Sequence, residues 1–184
     1  MESSWLAMAK RLQALAATGQ HFSRCQFDLE RYQEIETIAL RMLAELGTVP
    51  LEQIQGLFSD SGSGYVTPNV EVRGAVIRDG HILLVQEKEV LEEAGLVVKA
   101  RHLYALRHKA KGNYPPDSRD FYKLHFICEP VDPAATPQPG VETVKAEFFS
   151  PAALPPLSLG KNLPEDIHAA LAFSEQEHRA PWFD

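Results

Sequence analysis

The hydrophobic period of this chain changes once, across Ser59-Asp60-Ser61-Gly62-Ser63-Gly64. Before that stretch, apolar residues recur at the spacing of one helix face. After it, β-branched and aromatic residues alternate in short runs, as strands do. The two periods place side chains on different faces, so the halves cannot share one kind of element. The small polar residues between them favour a flexible connection over packing. The reading is an α+β chain with a helical region over 1–58, a linker over 59–67 and a sheet-containing domain over 68–184.

In the helical region Trp5, Met8, Ala9, Leu12, Leu15 and Ala16 share one face, and Thr18-Gly19 is a stop signal. Asp28 is placed to cap a second helix carrying Leu29, Tyr32, Ile35, Ile38, Met42 and Leu46, which Gly47 ends. A short third helix follows Pro50, with Leu51, Ile54, Leu57 and Phe58 on its apolar side. A helical region this small makes a marginal core alone, so its apolar faces are expected to pack on the rest of the chain or on a second copy.

Beyond the linker, Val70 to Ile77 and Ile82 to Val85 flank Asp79-Gly80, a strong hairpin signal. Leu96 to Leu106, Phe121 to Cys128 and Val144 to Phe149 read as further strands. Tyr122, Leu124 and Phe126 fall on one side of the second of these. The polar, proline-bearing stretch from His108 to Arg119 reads as a loop. Pro164 to Glu177 reads as a last helix, with Ile167, Ala170, Leu171 and Ser174 on one face. This order suits a layered α/β/α sandwich on a mixed sheet better than a doubly wound parallel sheet.

The formal charge of −7 argues against a general nucleic-acid binder, which gains affinity by releasing counterions from phosphates. No apolar run is long enough to cross a bilayer, so no membrane partner is expected. Two well-separated cysteines, Cys25 and Cys128, suggest a reducing compartment, and the expected location is cytoplasmic.

The informative stretch is Lys88-Glu89-Val90-Leu91-Glu92-Glu93-Ala94-Gly95-Leu96. On a helix Glu89, Glu92 and Glu93 fall at i, i+3 and i+4, so their carboxylates share one face. Such anions repel one another unless a cation lies between them, and carboxylate oxygens suit Mg²⁺ or Mn²⁺. The plainer reading is an acidic first turn, stabilised by the helix dipole.

This stretch resembles the second half of the Nudix box: Glu89, Glu92, Glu93, Gly95 and Leu96 match, and Lys88 stands where the motif has arginine. Gly74-Ala75-Val76-Ile77 and Ile82 to Lys88 resemble the strand pair that precedes a Nudix box. Tyr122 to Cys128, Glu147-Phe148-Phe149 and Leu154-Pro155-Pro156-Leu157-Ser158 resemble later segments of the family. The helical region, with Trp5, Ala16, Thr18-Gly19, Glu30-Arg31-Tyr32 and Glu34-Ile35, resembles the accessory domain of a bacterial subgroup that includes ADP-ribose and CDP-choline pyrophosphatase-like enzymes. The first half of the box is missing, a gap of roughly 20 residues against the full motif.

The resemblance implies a Nudix-like sandwich behind a helical domain, and a homodimer. It also implies metal-dependent hydrolysis of a nucleoside diphosphate-linked small molecule, with Glu89, Glu92 and Glu93 as the Mg²⁺ or Mn²⁺ ligands and catalytic residues. The missing half-box favours the alternative, a catalytically silent nucleotide-binding or dimerisation module. Glu142 and Glu147 are read as exposed rather than catalytic. Arg107, His108 and Lys109 either face a diphosphate or form a solvated strand end.

Overall fold

The computed structural model describes residues 2–59, 64–87, 96–138, 143–175 and 180–184. Two compact units emerge, one of Met1–Asn69 with Lys109–Phe121, the other of Val70–His108 with Tyr122–Asp184.

The first unit contains α1 (Ser4–Phe22), α2 (Gln26–Gly47) and α3 (Leu51–Ser59). Ser3 caps α1 by accepting from the Leu6 amide at 3.2 Å. Leu6 and Ala9 of α1, Leu40, Leu43 and Ala44 of α2, and Ile54 of α3 form the core. The larger residues of α1 point elsewhere: Trp5 is 63% exposed, and Met8, Leu12 and Leu15 are also exposed. Ala9 and Ala16 of α1 and Ala39 and Ala44 of α2 are among the buried residues, and small side chains at such contacts let two helices approach closely.

Two end signals differ from the sequence reading. α1 runs through Thr18-Gly19 to Phe22, because Gly19 serves a close contact: a Cβ there would lie 2.4 Å from Cε1 of Tyr32. α2 starts one residue after Cys25, so Asp28 lies within its first turn and pairs with Arg31 at 2.8 Å. The helix then ends on Thr48, a non-glycine residue in the left-handed region at φ 53°.

The second unit is built on a sheet in the order β5-β2-β1-β4-β3-β6. Its strands are β1 (Asn69–Arg78), β2 (His81–Glu87), β3 (Val98–His108), β4 (Phe121–Pro130), β5 (Thr143–Phe149) and β6 (Trp182–Phe183). β1 and β2 form the hairpin, and Asp79 and Gly80 both take positive φ (51° and 71°), as a type I′ turn requires. β5 pairs antiparallel with β2, β4 antiparallel with β3, and β6 parallel with β3, so the sheet is mixed.

The helix α4 (Pro164–Ser174) packs on this sheet. Ile167, Ala170 and Leu171 meet Ala75, Ile82, Tyr104 and Ala105. A register shift between Leu103 and Ala105 lets the neighbours Tyr104 and Ala105 both enter this cluster, which strict alternation forbids. The short helix expected over 88–94, with Gly95 as its cap, lies outside the described residues.

Candidate functional site

The triad Glu89, Glu92 and Glu93, with Lys88 and Gly95, lies outside the described residues, as does Glu142. Among the described residues no group of three or more His, Cys, Asp or Glu side chains is arranged to hold a metal ion. The strands nevertheless locate the end of the sheet where the motif is attached. The chain leaves β2 at Glu87, opposite Thr143 at the start of β5, where the pairing register shifts. Since β1 is antiparallel to β2, the same end carries the first half of β1. Glu147 is exposed and pairs with Lys145 at 2.7 Å, as an outward strand residue does.

That end of the sheet holds a polar cluster absent from the sequence reading. The Lys123 side chain is fully buried, although Tyr122, Leu124 and Phe126 mark the opposite side of β4 as the apolar one. Its ammonium donates to the Glu71 carboxylate at 2.7 Å and to the carbonyls of Gly160 at 3.0 Å and Lys161 at 2.9 Å. An ammonium has three protons, and three acceptors surround it, which is what makes its burial tolerable. The other oxygen of Glu71 accepts from Arg73. Burial first, and the neighbouring Arg73 charge second, hold the Lys161 ammonium below its ordinary range.

His125, next in the same alternation, is also fully buried. The Tyr104 hydroxyl lies 3.3 Å from its Nδ1. Burial, helped by Lys123, Arg107 and Arg73 and opposed by Asp166, pushes the imidazole down to about 4. Burial also raises the Tyr104 phenol, with Asp166 and Cys128 adding to the effect and Arg107 opposing it. Both groups are therefore neutral near pH 7.

Arg107 is neither a solvated strand end nor poised for a diphosphate. It is buried between carboxylates: Asp166 at 3.1 Å, Glu165 at 3.2 Å and Asp184 at 2.8 Å. The Trp182 ring stacks with its centroid 3.8 Å from the guanidinium carbon. His108 packs edge-on to Tyr122, and Lys109 pairs with Asp117 at 2.6 Å. Tyr122, with its ring partly exposed, is not a core aromatic.

Known proteins resemble this chain along its whole length. Residues 3–58 match the Nudix N-terminal domain described as a UDP-X-like, N-terminal oligomerisation domain. The Bacillus subtilis (strain 168) protein YjhB, an ADP-ribose pyrophosphatase by provisional assignment, is 31% identical over 208 positions, spanning 100% of this chain and 99% of YjhB. Those 208 positions exceed the 184 residues here, so at least 24 have no counterpart in this chain. A crystal structure of an ADP-ribose pyrophosphatase from Streptococcus suis 89-1591 is 33% identical with a TM-score of 0.55, covering 64% of this chain and 100% of that one. A UDP-X diphosphatase crystal structure has the same TM-score of 0.55 at 24% identity, covers 98% of both chains and speaks to the fold.

Proposed function

This chain belongs to the Nudix hydrolase family, and on that premise we propose that it hydrolyses a nucleoside diphosphate-linked substrate of the ADP-ribose class. The observation that carries the proposal is the end-to-end likeness to YjhB. The ADP-ribose pyrophosphatase from Streptococcus suis supports the same substrate class. In this reading Glu89, Glu92 and Glu93 hold Mg²⁺ or Mn²⁺. Their donor chemistry fits: hard carboxylate oxygens at helical spacing suit a hard divalent cation. A bound metal of this kind supplies charge neutralisation at the diphosphate and an activated water.

A specific observation favours a second reading. The first half of the box is missing, and the alignment with YjhB leaves at least 24 positions unmatched, a gap of similar size. Phosphoryl chemistry depends on positioning as much as on ligands. A Nudix fold that keeps its carboxylates and loses their platform would bind nucleotide without turning it over.

The proposed assembly is a homodimer through the helical region. The description of the matched domain supports it, as do the exposed Trp5, Met8, Leu12 and Leu15 of α1 and Ile35 and Ile38 of α2.

The test is a calorimetric titration with Mg²⁺ and Mn²⁺, beside a Glu92→Gln, Glu93→Gln double variant, followed by an ADP-ribose hydrolysis assay. Metal binding that the variant loses, together with metal-dependent release of AMP, is the expected result. No binding at millimolar metal and no AMP would establish the silent reading instead.

A further inference from the structure

One side of β3 pairs with β4 from Val98 to His108. On its other side, among the described residues, a strand covers Ala105 and Leu106 alone, and that strand is β6. The first part of this outer edge carries Lys99 and Arg101, charges of the kind that keep foreign strands off an open edge. The part at Tyr104, Ala105 and Leu106 carries no charge, and β6 lies on it. Alternate residues of a strand share a face, so Trp182 and Asp184 fall together while Phe183 points away, 58% exposed. Both Trp182 and Asp184 meet Arg107. The indole centroid lies 3.8 Å from the guanidinium carbon, and one carboxylate oxygen lies 2.8 Å from Nε. The other oxygen accepts from the His108 amide at 2.8 Å.

α4 holds Arg107 independently of β6, through Asp166 at 3.1 Å and Glu165 at 3.2 Å. These two carboxylates already neutralise the guanidinium, so Asp184 is the third anion on one positive charge. It is held less tightly than in a one-to-one pair, because the three carboxylates repel one another. The strand beneath it is two residues long, and Trp182 stays 43% exposed in place. A strap held this way detaches at small cost and leaves a formed site behind: a strand edge, a stacking guanidinium and an amide donor. Such a site recognises a strand whose aromatic ring stands two residues before a carboxylate. Main-chain bonds supply affinity there, and the two side chains supply selectivity. A second copy carries the identical segment, and reciprocal exchange between two copies keeps every contact.

We propose that the β3 edge from Tyr104 to His108 is a strand-docking site for an aromatic–X–aspartate segment, and that it takes Trp182-Phe183-Asp184 of a second copy in exchange for the chain's own. This contact rests neither on the hydrolase reading nor on the dimer through the helical region.

Two full-length copies, one Leu106→Cys and the other Phe183→Cys, both with Cys25→Ser, would be mixed and oxidised. Leu106 and Phe183 are register partners, so β6 of one copy lying on β3 of the other brings the two thiols within disulfide reach. The expected result is a covalent heterodimer on a non-reducing gel, about tenfold or more weaker when the Phe183→Cys copy also carries Trp182→Gly and Asp184→Asn. In parallel, a full-length Trp182→Gly, Asp184→Asn variant would be titrated calorimetrically with an amidated peptide of residues 180–184. Salt-sensitive binding is expected, about tenfold weaker with asparagine in place of the peptide's aspartate and unchanged with serine in place of its phenylalanine. The cross-link uses an intact strap, so it remains informative where the double variant fails to fold. No covalent heterodimer, a cross-link indifferent to the strap changes, or a peptide bound equally well with asparagine would overturn the exchange. A homodimer that persists without the cross-link would leave the helical-region interface standing and remove this one.

Discussion

Arg107 and Asp184 form an ion pair at 2.8 Å, and a second oxygen of the same carboxylate accepts from the His108 amide at 2.8 Å. Asp184 thus grips the end of β3 twice. β6 has two residues, too few to hold an edge by ladder bonds, so the Arg107 contacts with Asp184 and Trp182 are what fasten it. Asp184→Asn and Trp182→Ala are expected to lower stability by about 1–2 kcal/mol each. Arg107→Met should cost more, about 3–5 kcal/mol, because it strands the buried Asp166 carboxylate. Urea denaturation measures all three, and an unchanged midpoint for Asp184→Asn would refute the account.

His125 makes a pH prediction. Its folded-state value, about 4, lies below the ordinary 6.5, so the unfolded chain takes up a proton first as the pH falls. This group's contribution is complete above pH 6.5. It is lost as the pH drops towards about 4, at up to about 1.4 kcal/mol per pH unit. His125→Leu removes the titrating group, so the slope of stability against pH in that window should flatten. A slope identical to wild type would assign the acid sensitivity elsewhere.

Gly19 offers a test of packing against propensity. Alanine is the better helix former by about 1 kcal/mol, and α1 continues past this position. Yet the added Cβ would lie 2.4 Å from Cε1 of Tyr32. Overpacking of this kind costs about 1–3 kcal/mol, so Gly19→Ala should destabilise and lower the melting temperature. Pairing it with Tyr32→Ala should recover part of the loss, and a melting temperature raised by Gly19→Ala alone would contradict the contact.

The exposed apolar face of α1 bears on assembly. Leu12 and Leu15 line an open groove with Phe22, Ile35 and Tyr65 in the first unit. Leu12→Asp with Leu15→Asp should convert a homodimer to a monomer in light scattering and leave the helical circular dichroism intact. The reason is that the two side chains contribute little to the core of Leu6, Ala9, Leu40, Leu43 and Ile54. A variant that stays dimeric would move the interface off this face.

Much of the architecture was readable because it is local. Asp79-Gly80 specifies a turn by its own φ preferences, and Ile167, Ala170 and Leu171 mark the buried face of α4 by period alone. The Nudix motif was legible for the same reason, since Glu89, Glu92 and Glu93 carry their meaning in their spacing. Burial of charge was not legible. The alternation of Tyr122, Leu124 and Phe126 marked one side of β4 and said nothing of Lys123 and His125, which are buried on the other, because periodicity registers hydrophobic residues and passes over a lysine or histidine whose partners are distant.

The sequence by itself determined the period change, the hairpin, the terminal helix and the family. The tertiary structure decided which polar residues go inside. Lys123 is buried because Glu71, 52 residues earlier, and the carbonyls of Gly160 and Lys161, 37 and 38 residues later, converge on it. Arg107 is buried because Asp166 arrives 59 residues later. A buried charge is tolerated when its partners are in place, and the fold alone brings such distant residues together.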